Sequence, residues 1–582
     1  MTVSFVLTIE GQNKRSVQTL SEWEFRKGHS LWTTDGWQKV NIPHDWAIYG
    51  PFDRSNDLQN VAVVQNGEKT ASVKTGRTGG LPYEGKGTYR RKLDVAAGTL
   101  DGRRHILLFD GAMSEAQIFV RGKKVFFWPY GYNSFWCDIT DHIQEGSNDL
   151  AVFLENRPRS SRWYPGAGLY RKVRYITLPK VHIPIWGTYI TTPYVSEEYA
   201  SVTIRTRVEG LEDGTPVTVR TEIKDMDGNV VSRRRSTARL FKGEITQQIS
   251  VNCPQLWSPE TPFLYYADTQ IYSGASITTD KSGKRPATIT EDGNILHDKT
   301  RTRFGIRSIE IRPDKGFFLN GKNRKIRGVC MHHDLGPLGA AINKAALRRQ
   351  LTILKDMGCD AIRTSHNMPA EELIELCDEM GFMVMVENFD EWDIKKCENG
   401  YHRFFNQDTG DGTIWAEKDM INMLHHFRNN ASVIMWSIGN EVPSQRSAEG
   451  VKMAAWLQDI CHREDPTRPV TCGMSSFDAV INNGFAAELD VVGLNYKVDR
   501  YTQAYPLLPQ AIILGSENAS TVSSRGRYHF PVTIGHTIKH EDHQSSSYDT
   551  EFCSWSNIPD EDFAADEDYP WCIGQFVWTG FD

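Results

Sequence analysis

No long hydrophobic run occurs in this chain. Its 582 residues contain no apolar stretch near the ~20 residues a bilayer-spanning helix requires. A basic excess is also lacking. Lys and Arg number 66 against 73 Asp and Glu, and the net charge of −7 removes the electrostatic footprint of a nucleic-acid or anionic-membrane binder. The ten cysteines form no Cys-x-x-Cys pair and none stands at zinc-finger spacing with histidine. Cys330, Cys359, Cys377 and Cys472 lie in or beside apolar segments and read as small buried hydrophobes. The short apolar patch from Val3 to Ile9 lacks a basic flank and a small-residue cleavage site, so it does not read as a signal peptide. Hydrophobic content of 39% and charged content of 24% are those of an ordinary globular protein.

At this length one core does not suffice, and about three or four domains are expected. Residues 1–182 read as all-β. Short runs such as His105–Phe109 and Ala116–Val120 are separated by Gly, Asp and Asn turns, a pattern that predicts a jelly-roll β-sandwich. Alternation continues through 183–308, in Ala200–Thr206 and Pro216–Arg220, and that length suits one immunoglobulin-like β-sandwich. Inside it, Thr278 to Lys299 reads as a long polar surface loop.

After Phe317, strands alternate with helices. Lys325–Val329, Asp360–Arg363, Phe382–Val386, Ser432–Ile438, Pro469–Cys472, Asp490–Leu494, Ala511–Leu514 and Gly574–Trp578 supply eight strands. One helix is expected to start at the N-cap Asn343, bury Leu347, Leu351, Leu354 and Met357, and stop at Gly358. A second is expected to open with Pro369 and close at Gly381. Eight strand–helix repeats over 309–582 describe a (β/α)8 TIM barrel. Only Thr579–Asp582 follow the eighth strand, so the last covering helix is missing. The expectation is a longer natural polypeptide, or another cover for that side.

The most informative segment is Ser432-Val433-Ile434-Met435-Trp436-Ser437-Ile438-Gly439-Asn440-Glu441. An apolar strand that ends in an amide and an acid delivers both to the mouth of an α/β barrel, where such enzymes do chemistry. A carboxyl partly shielded from water there suits a general acid. A second acid, Glu517, follows the seventh strand in Gly515-Ser516-Glu517-Asn518. Strands four and seven face each other across a barrel mouth, so the two acids can address one glycosidic bond. At a separation of roughly 5 Å the second attacks the anomeric carbon and configuration is retained. Glu441 is then the acid and base, and Glu517 the nucleophile. Either glutamate alone would read as a salt-bridge partner.

These residues resemble glycoside hydrolase family 2. The resemblance is carried by Arg327-Gly328-Val329-Cys330-Met331-His332-His333-Asp334, Arg363-Thr364-Ser365-His366-Asn367, Ile438-Gly439-Asn440-Glu441, Asn495-Tyr496 and Phe576-Val577-Trp578. The segment Arg162-Trp163-Tyr164-Pro165-Gly166-Ala167-Gly168-Leu169-Tyr170-Arg171 adds to it, as does the domain order. The likeness is greatest to bacterial β-galactosidases that carry further C-terminal β domains. It implies that Asn440 holds the sugar 2-hydroxyl and that Tyr496 donates to Glu517. It further implies that His332 and His366 bind hydroxyls, that Trp578 floors the glycone pocket, and that Arg162 reaches the substrate. For each histidine the plainer reading is a neutral structural residue, and for Trp578 it is barrel packing. Some relatives of this kind bind magnesium through acids after the third strand. Phe389-Asp390-Glu391-Trp392-Asp393 lacks the histidine of that pattern, so a divalent cation is not favoured and no cofactor is expected. Asp334, Glu387, Asp390, Glu391 and Asp393 are instead expected to pair with Arg327 and Arg363.

The substrate implied is an oligosaccharide or other β-glycoside, with β-galactoside first and β-glucuronide or β-mannoside as alternatives. A uronate would call on cations such as Arg162, Lys497, Arg525 or Arg527. A non-catalytic carbohydrate-binding protein is the rival of another class. No nucleic acid or membrane partner is expected, and a homo-oligomer stays open. Bacterial cytoplasm and periplasm are equally compatible with what the sequence displays.

Overall fold

The computed structural model describes residues 15–30, 33–52, 61–63, 69–70, 72–74, 85–274, 294–536, 538–542 and 544–581. The apolar patch Val3–Ile9 and most of the polar stretch from Thr278 lie outside them. The stretch also ends earlier than expected, because Asn294–Phe304 is a strand paired along its length with Tyr265–Gly274. Among the described residues no helix is long and apolar enough to cross a membrane.

The N-terminal part is a sandwich of two antiparallel sheets. One runs in the order Ser16–Thr19, Val173–Pro179, Arg103–Phe109, Phe135–Asp138. The other runs Gln38–Asn41, Glu22–Lys27, Gly85–Val95, Gly146–Asn156, Ala116–Val120, Lys123–Trp128. Their inward faces supply Phe25, Tyr89, Phe109, Ile118, Phe135 and Val152 to one core. The next part pairs a three-stranded with a four-stranded sheet. Here the period of two is clear: alternate residues of Tyr199–Arg207 and Glu244–Asn252 are buried, as one-sided sheets require.

Eight parallel strands then close a barrel. They are β1 (Ile326–Met331), β2 (Ala361–Thr364), β3 (Met383–Glu387), β4 (Val433–Asn440), β5 (Val470–Met474), β6 (Val492–Asn495), β7 (Ile513–Asn518) and β8 (Cys572–Val577). Closure is by β8 pairing with both β7 and β1. Every residue of β3, β4 and β7 is buried, which is why these strands read as continuous runs and not as alternations. A three-stranded meander, Ile309–Arg324, precedes the barrel, and its buried Phe317 and Leu319 pack with Ile326, Met383, Met435 and Ile573.

Helix α1 (Lys344–Asp356) starts where its cap dictates: Asn343 Oδ1 accepts the Ala345 and Ala346 N–H groups at 3.0 Å each. Leu347, Leu351 and Leu354 are buried as expected. Met357 is not; the helix has ended and the side chain is 66% exposed. Helix α2 (Glu371–Met380) begins two residues beyond Pro369, whose carbonyl is taken by Arg171. It closes at Gly381, as expected. The limits of β4 and β7 also differ from expectation. Both strands run on through their polar ends, so Asn440 and Glu517 are strand residues.

The sandwich is bolted to the barrel by buried polar bonds. Arg171, 1% exposed, donates to the carbonyls of Asp110, Tyr132, Met368 and Pro369. Tyr130 Oη donates to Asn388 O, and Trp128 Nε1 to Asp419. Asp45 accepts from Ala340 N–H and Tyr164 Oη. These contacts set the Arg162–Trp163 segment against the C-terminal mouth of the barrel.

Candidate active site

The mouth is organised by one cation. Arg363, on β2, is fully buried and uses every N–H of its guanidinium. Nε and Nη2 donate to Glu387 on β3 at 3.1 and 2.9 Å; Nη2 also donates to Asn440 Oδ1 at 2.8 Å; Nη1 donates to Glu517 Oε2 at 2.8 Å and to Ser516 O at 3.0 Å. Burial works against the charge of Glu387, yet Arg363, His366 and Ser437 outweigh it and hold this carboxyl below its usual range. Room for the network comes from Gly473 on β5. A Cβ there would lie 2.8 Å from Arg363 Nη2 and 3.0 Å from Asn440 Oδ1, so any other residue would push the network apart.

Glu517 lies at the end of β7, 6% exposed. Tyr496 Oη donates to its Oε1 at 2.9 Å, opposite Arg363 on Oε2. The Tyr496 phenol is pushed well above its ordinary range, first by burial and then by the Glu517 charge. Glu441 follows β4 directly and is half-buried. Its backbone N–H donates to Gly473 O at 2.7 Å, and its Oε1 accepts the Asn495 amide at 3.2 Å. Asn495 also donates to Asn440 Oδ1 at 3.1 Å and accepts from Ser516 Oγ at 2.6 Å. A continuous path, Glu441–Asn495–Asn440–Arg363–Glu517, therefore joins the two acids across the mouth.

Around them stand four aromatic rings. Trp163, from the sandwich, stacks on His332 with centroids 4.8 Å apart. Trp578, after β8, stacks on His366 at 5.4 Å with the planes 4° apart, and meets His332 edge-on at 5.2 Å. His332 is held neutral by burial, reinforced by neighbouring His366 and His333. Its Nδ1 faces Ser365 O at 2.8 Å, so the proton sits there and Nε2 carries a free acceptor lone pair.

His366, Asn440 and Arg162 are tied into one network with Glu387 and Asp390, the acids at and just after the end of β3. Both ring nitrogens of His366 are committed: Nδ1 lies 2.7 Å from Glu387 Oε1 and Nε2 3.3 Å from Asn440 Nδ2. Its position supports Asn440 and places Nε2 3.8 Å from Glu517 Oε2. Asn440 is itself fully buried, its Nδ2 turned to Asp390 and His366. Arg162 grips Asp390 with two bonds of 2.8 and 2.6 Å, and the carboxyl of Asp390 is held well below its usual range: burial opposes the charge, but Arg162 and Lys396 overcome it. Of the five acids expected to pair with Arg327 and Arg363, Glu387 pairs with Arg363. Arg327 stands at the opposite end of the barrel, beside Asp360. Glu391 accepts backbone N–H groups of its own loop, and Asp393 accepts from Ser444 Oγ. Lys497 Nζ donates to Tyr496 O, and Arg527 leans toward Asp542. Among the described residues no group of three or more His, Cys, Asp or Glu side chains is arranged to hold a metal ion. Asp390 is filled by two cations, which leaves it a poor metal ligand. Lys396 was not anticipated from the sequence; it lies in an irregular loop where no period marks it.

Chain comparisons agree with this architecture. The family model "Glycosyl hydrolases family 2, sugar binding domain" matches residues 21–179, "Glycosyl hydrolases family 2" matches 181–284, and "Glycosyl hydrolases family 2, TIM barrel domain" matches 309–530. Beta-galactosidase BoGH2A of Bacteroides ovatus is 33% identical over 97% of this chain and 67% of its own length. A putative beta-glucuronidase of Formosa agariphila is 31% identical over 79% of this chain and 38% of its own length. A solved family 2 member from Bacteroides cellulosilyticus superposes with a TM-score of 0.77 at 30% identity, covering 97% of this chain and 64% of that one. A beta-glycosidase from Bacteroides vulgatus gives 0.78 at 28% identity, covering 97% and 70%. The chain thus spans about two thirds of the length of several of these proteins, and less of others.

Proposed function

The chain belongs to glycoside hydrolase family 2, and from that footing we propose that it is a retaining exo-β-glycosidase releasing terminal, non-reducing β-D-galactosyl residues. Glu517 attacks the anomeric carbon as Glu441 gives its proton to the glycosidic oxygen; the C1–O bond breaks and the aglycone leaves as an alcohol. Glu441, now a carboxylate, takes a proton from water, the water oxygen bonds to C1, and the ester to Glu517 breaks.

One observation carries this reading: the two acids have unlike surroundings. Glu517 is fixed by a cation on one oxygen and a phenol on the other, as a directed nucleophile needs. Glu441 accepts from a neutral amide, at a half-buried position that suits proton exchange with a leaving group and water. The galactoside preference is supported by the relative named as a beta-galactosidase. A β-glucuronide is the second reading, favoured by relatives named as beta-glucuronidases.

The test is turnover of nitrophenyl β-galactoside, β-glucuronide and β-mannoside, with NMR of the first-formed anomer. β-Galactoside turnover with a β-anomer product supports the reading. Glu517→Gln should abolish it, and Glu441→Gln should cost about 10²–10⁴-fold in kcat/KM on unactivated leaving groups while sparing kcat/KM on activated ones. An α-anomer product, or sugar binding without turnover of any substrate, overturns it; the latter outcome leaves the carbohydrate-binding alternative standing.

A further inference from the structure

The loop after β3 carries a lysine that the mechanism above does not use. Glu391 shapes this loop: its carboxylate accepts the backbone N–H groups of Lys396, Cys397 and His402. Gly400 lies so close that a Cβ would meet Glu391 Oε1 at 1.9 Å. Folded in this way, the loop brings Lys396 Nζ to 2.6 Å from the backbone carbonyl of Asn440 and 2.8 Å from Asp390 Oδ1. The lysine side chain is only 11% exposed.

That carbonyl belongs to the peptide unit leading into Glu441. Glu441 holds φ at +44°, a left-handed conformation that a residue with a side chain adopts only under constraint. The N–H edge of the same peptide plane donates to Gly473 O. Lys396 takes the other edge. With both edges bonded the plane cannot swing, and the carboxyl that follows it is aimed. Asp390 anchors the ammonium and is also gripped by Arg162, so losing the lysine leaves that carboxylate paired.

We propose that Lys396 is a positioning residue for Glu441: it locks the Asn440–Glu441 peptide so that the carboxyl meets the leaving-group oxygen. This rests on the assignment of Glu441 as acid and base. Its signature is a selective loss in kcat/KM, which reports formation of the glycosyl-enzyme, since in that step a misplaced acid matters only where the leaving group needs a proton.

The experiment compares Lys396→Met, Lys396→Gln, Lys396→Arg and Glu441→Gln in the full-length enzyme. Each is assayed on two galactosides, one with a dinitrophenyl and one with an alkyl leaving group. Lys396→Met and Lys396→Gln should lower kcat/KM on the alkyl substrate roughly 10- to 100-fold. On the dinitrophenyl substrate, kcat/KM should stay close to the parent value, while kcat and KM there fall together because the same carboxyl serves as base when the glycosyl-enzyme is hydrolysed; Lys396→Arg should recover much of the loss. The ratio between substrates is internal to each sample and is read on whatever fraction folds. Equal loss of kcat/KM on both substrates, or no loss on the alkyl one, overturns the proposal if Glu441→Gln itself discriminates in kcat/KM. If Glu441→Gln fails to discriminate, the acid assignment falls and this proposal falls with it.

Discussion

Replacing Arg363 by methionine would take a buried cation from between two carboxylates. The guanidinium is 0% exposed, and its bonds run to Glu387, Asn440, Ser516 and Glu517. Methionine roughly fills the space of the stem, so the cavity left behind is small. The cost lies in what remains: Glu387, with no exposed surface, and Glu517 lose their shared counter-ion. Removing one partner of a buried pair costs about 3–5 kcal/mol, because the other charge stays desolvated. Domains are stable by about 5–15 kcal/mol, so Arg363→Met brings the barrel close to unfolding. Urea unfolding followed by tryptophan fluorescence measures this. Adding Glu387→Gln removes one stranded charge and keeps an acceptor, and should return part of the loss; a double-mutant cycle reads the coupling, expected near the upper end of about 0.5–3 kcal/mol. Arg363→Lys offers at most three donors for four partner groups and should fall between. A loss below about 1 kcal/mol for Arg363→Met would refute the idea that this ion network holds the mouth together.

Tyr496→Phe deletes the 2.9 Å bond to Glu517 Oε1, a charge-assisted bond of about 1.5–3 kcal/mol, and should lower kcat/KM about 10- to 100-fold; steady-state kinetics with an unchanged parent-like melting temperature would check it, and full activity would contradict the orienting role. A separate prediction concerns acid stability. In the second sandwich, bonding from Arg301 first and Lys224 next overcomes burial and lowers the Asp268 carboxyl from 3.8 to about 2. A depressed carboxyl contributes stability above its unfolded value, and that contribution disappears as pH falls from about 4 through about 2. The drop amounts to at most about 2 kcal/mol by linkage, and solvent around the exposed Arg301 reduces it to ~1 kcal/mol. Unfolding midpoints at pH 5 and pH 2 should therefore differ less in Asp268→Asn than in the parent. An equal acid sensitivity in both would assign the effect elsewhere.

The eight barrel strands were legible because each is a short apolar run with glycine or a polar residue nearby. Their limits were not. Hydropathy ends β7 at Leu514, but Ser516, Glu517 and Asn518 continue the strand by pairing inside the barrel, with Asn495, Arg363 and Tyr501. A scale that scores side chains against water cannot register polar groups satisfied by one another. Met357 failed for a related reason. The period of 3.6 places it on the face of Leu347, Leu351 and Leu354, but the helix stops one residue earlier. Glu441 and Glu517 stood out because each follows an apolar run at a strand end. Lys396 and the capture of Asp390 by two cations depend on how a loop of irregular backbone folds back, and pattern alone does not reach that far.

The mouth of the barrel also concentrates backbone strain. Glu441, Tyr496 and Ala519, each just past a strand, hold φ at +44°, +54° and +53°. Such conformations cost about 1–3 kcal/mol apiece for residues with side chains, a sum comparable with the stability of a whole domain. Glycine would relieve the cost and would also delete the carboxyl at 441 and the phenol at 496. The strain is held in place by bonds between neighbouring strand ends: Glu441 N–H to Gly473 O and Tyr496 N–H to Glu517 O at 2.7 Å, and Trp578 N–H to Asn518 O at 2.8 Å. Those bonds form only if the barrel is closed in this register. A one-residue slip of β7 against β6 would separate Tyr496 from Glu517 and release two of the three turned residues at once. The same contacts that close the cylinder therefore aim its chemistry, and a substitution that loosens closure at β6 or β7 should disable the site before it unfolds the chain.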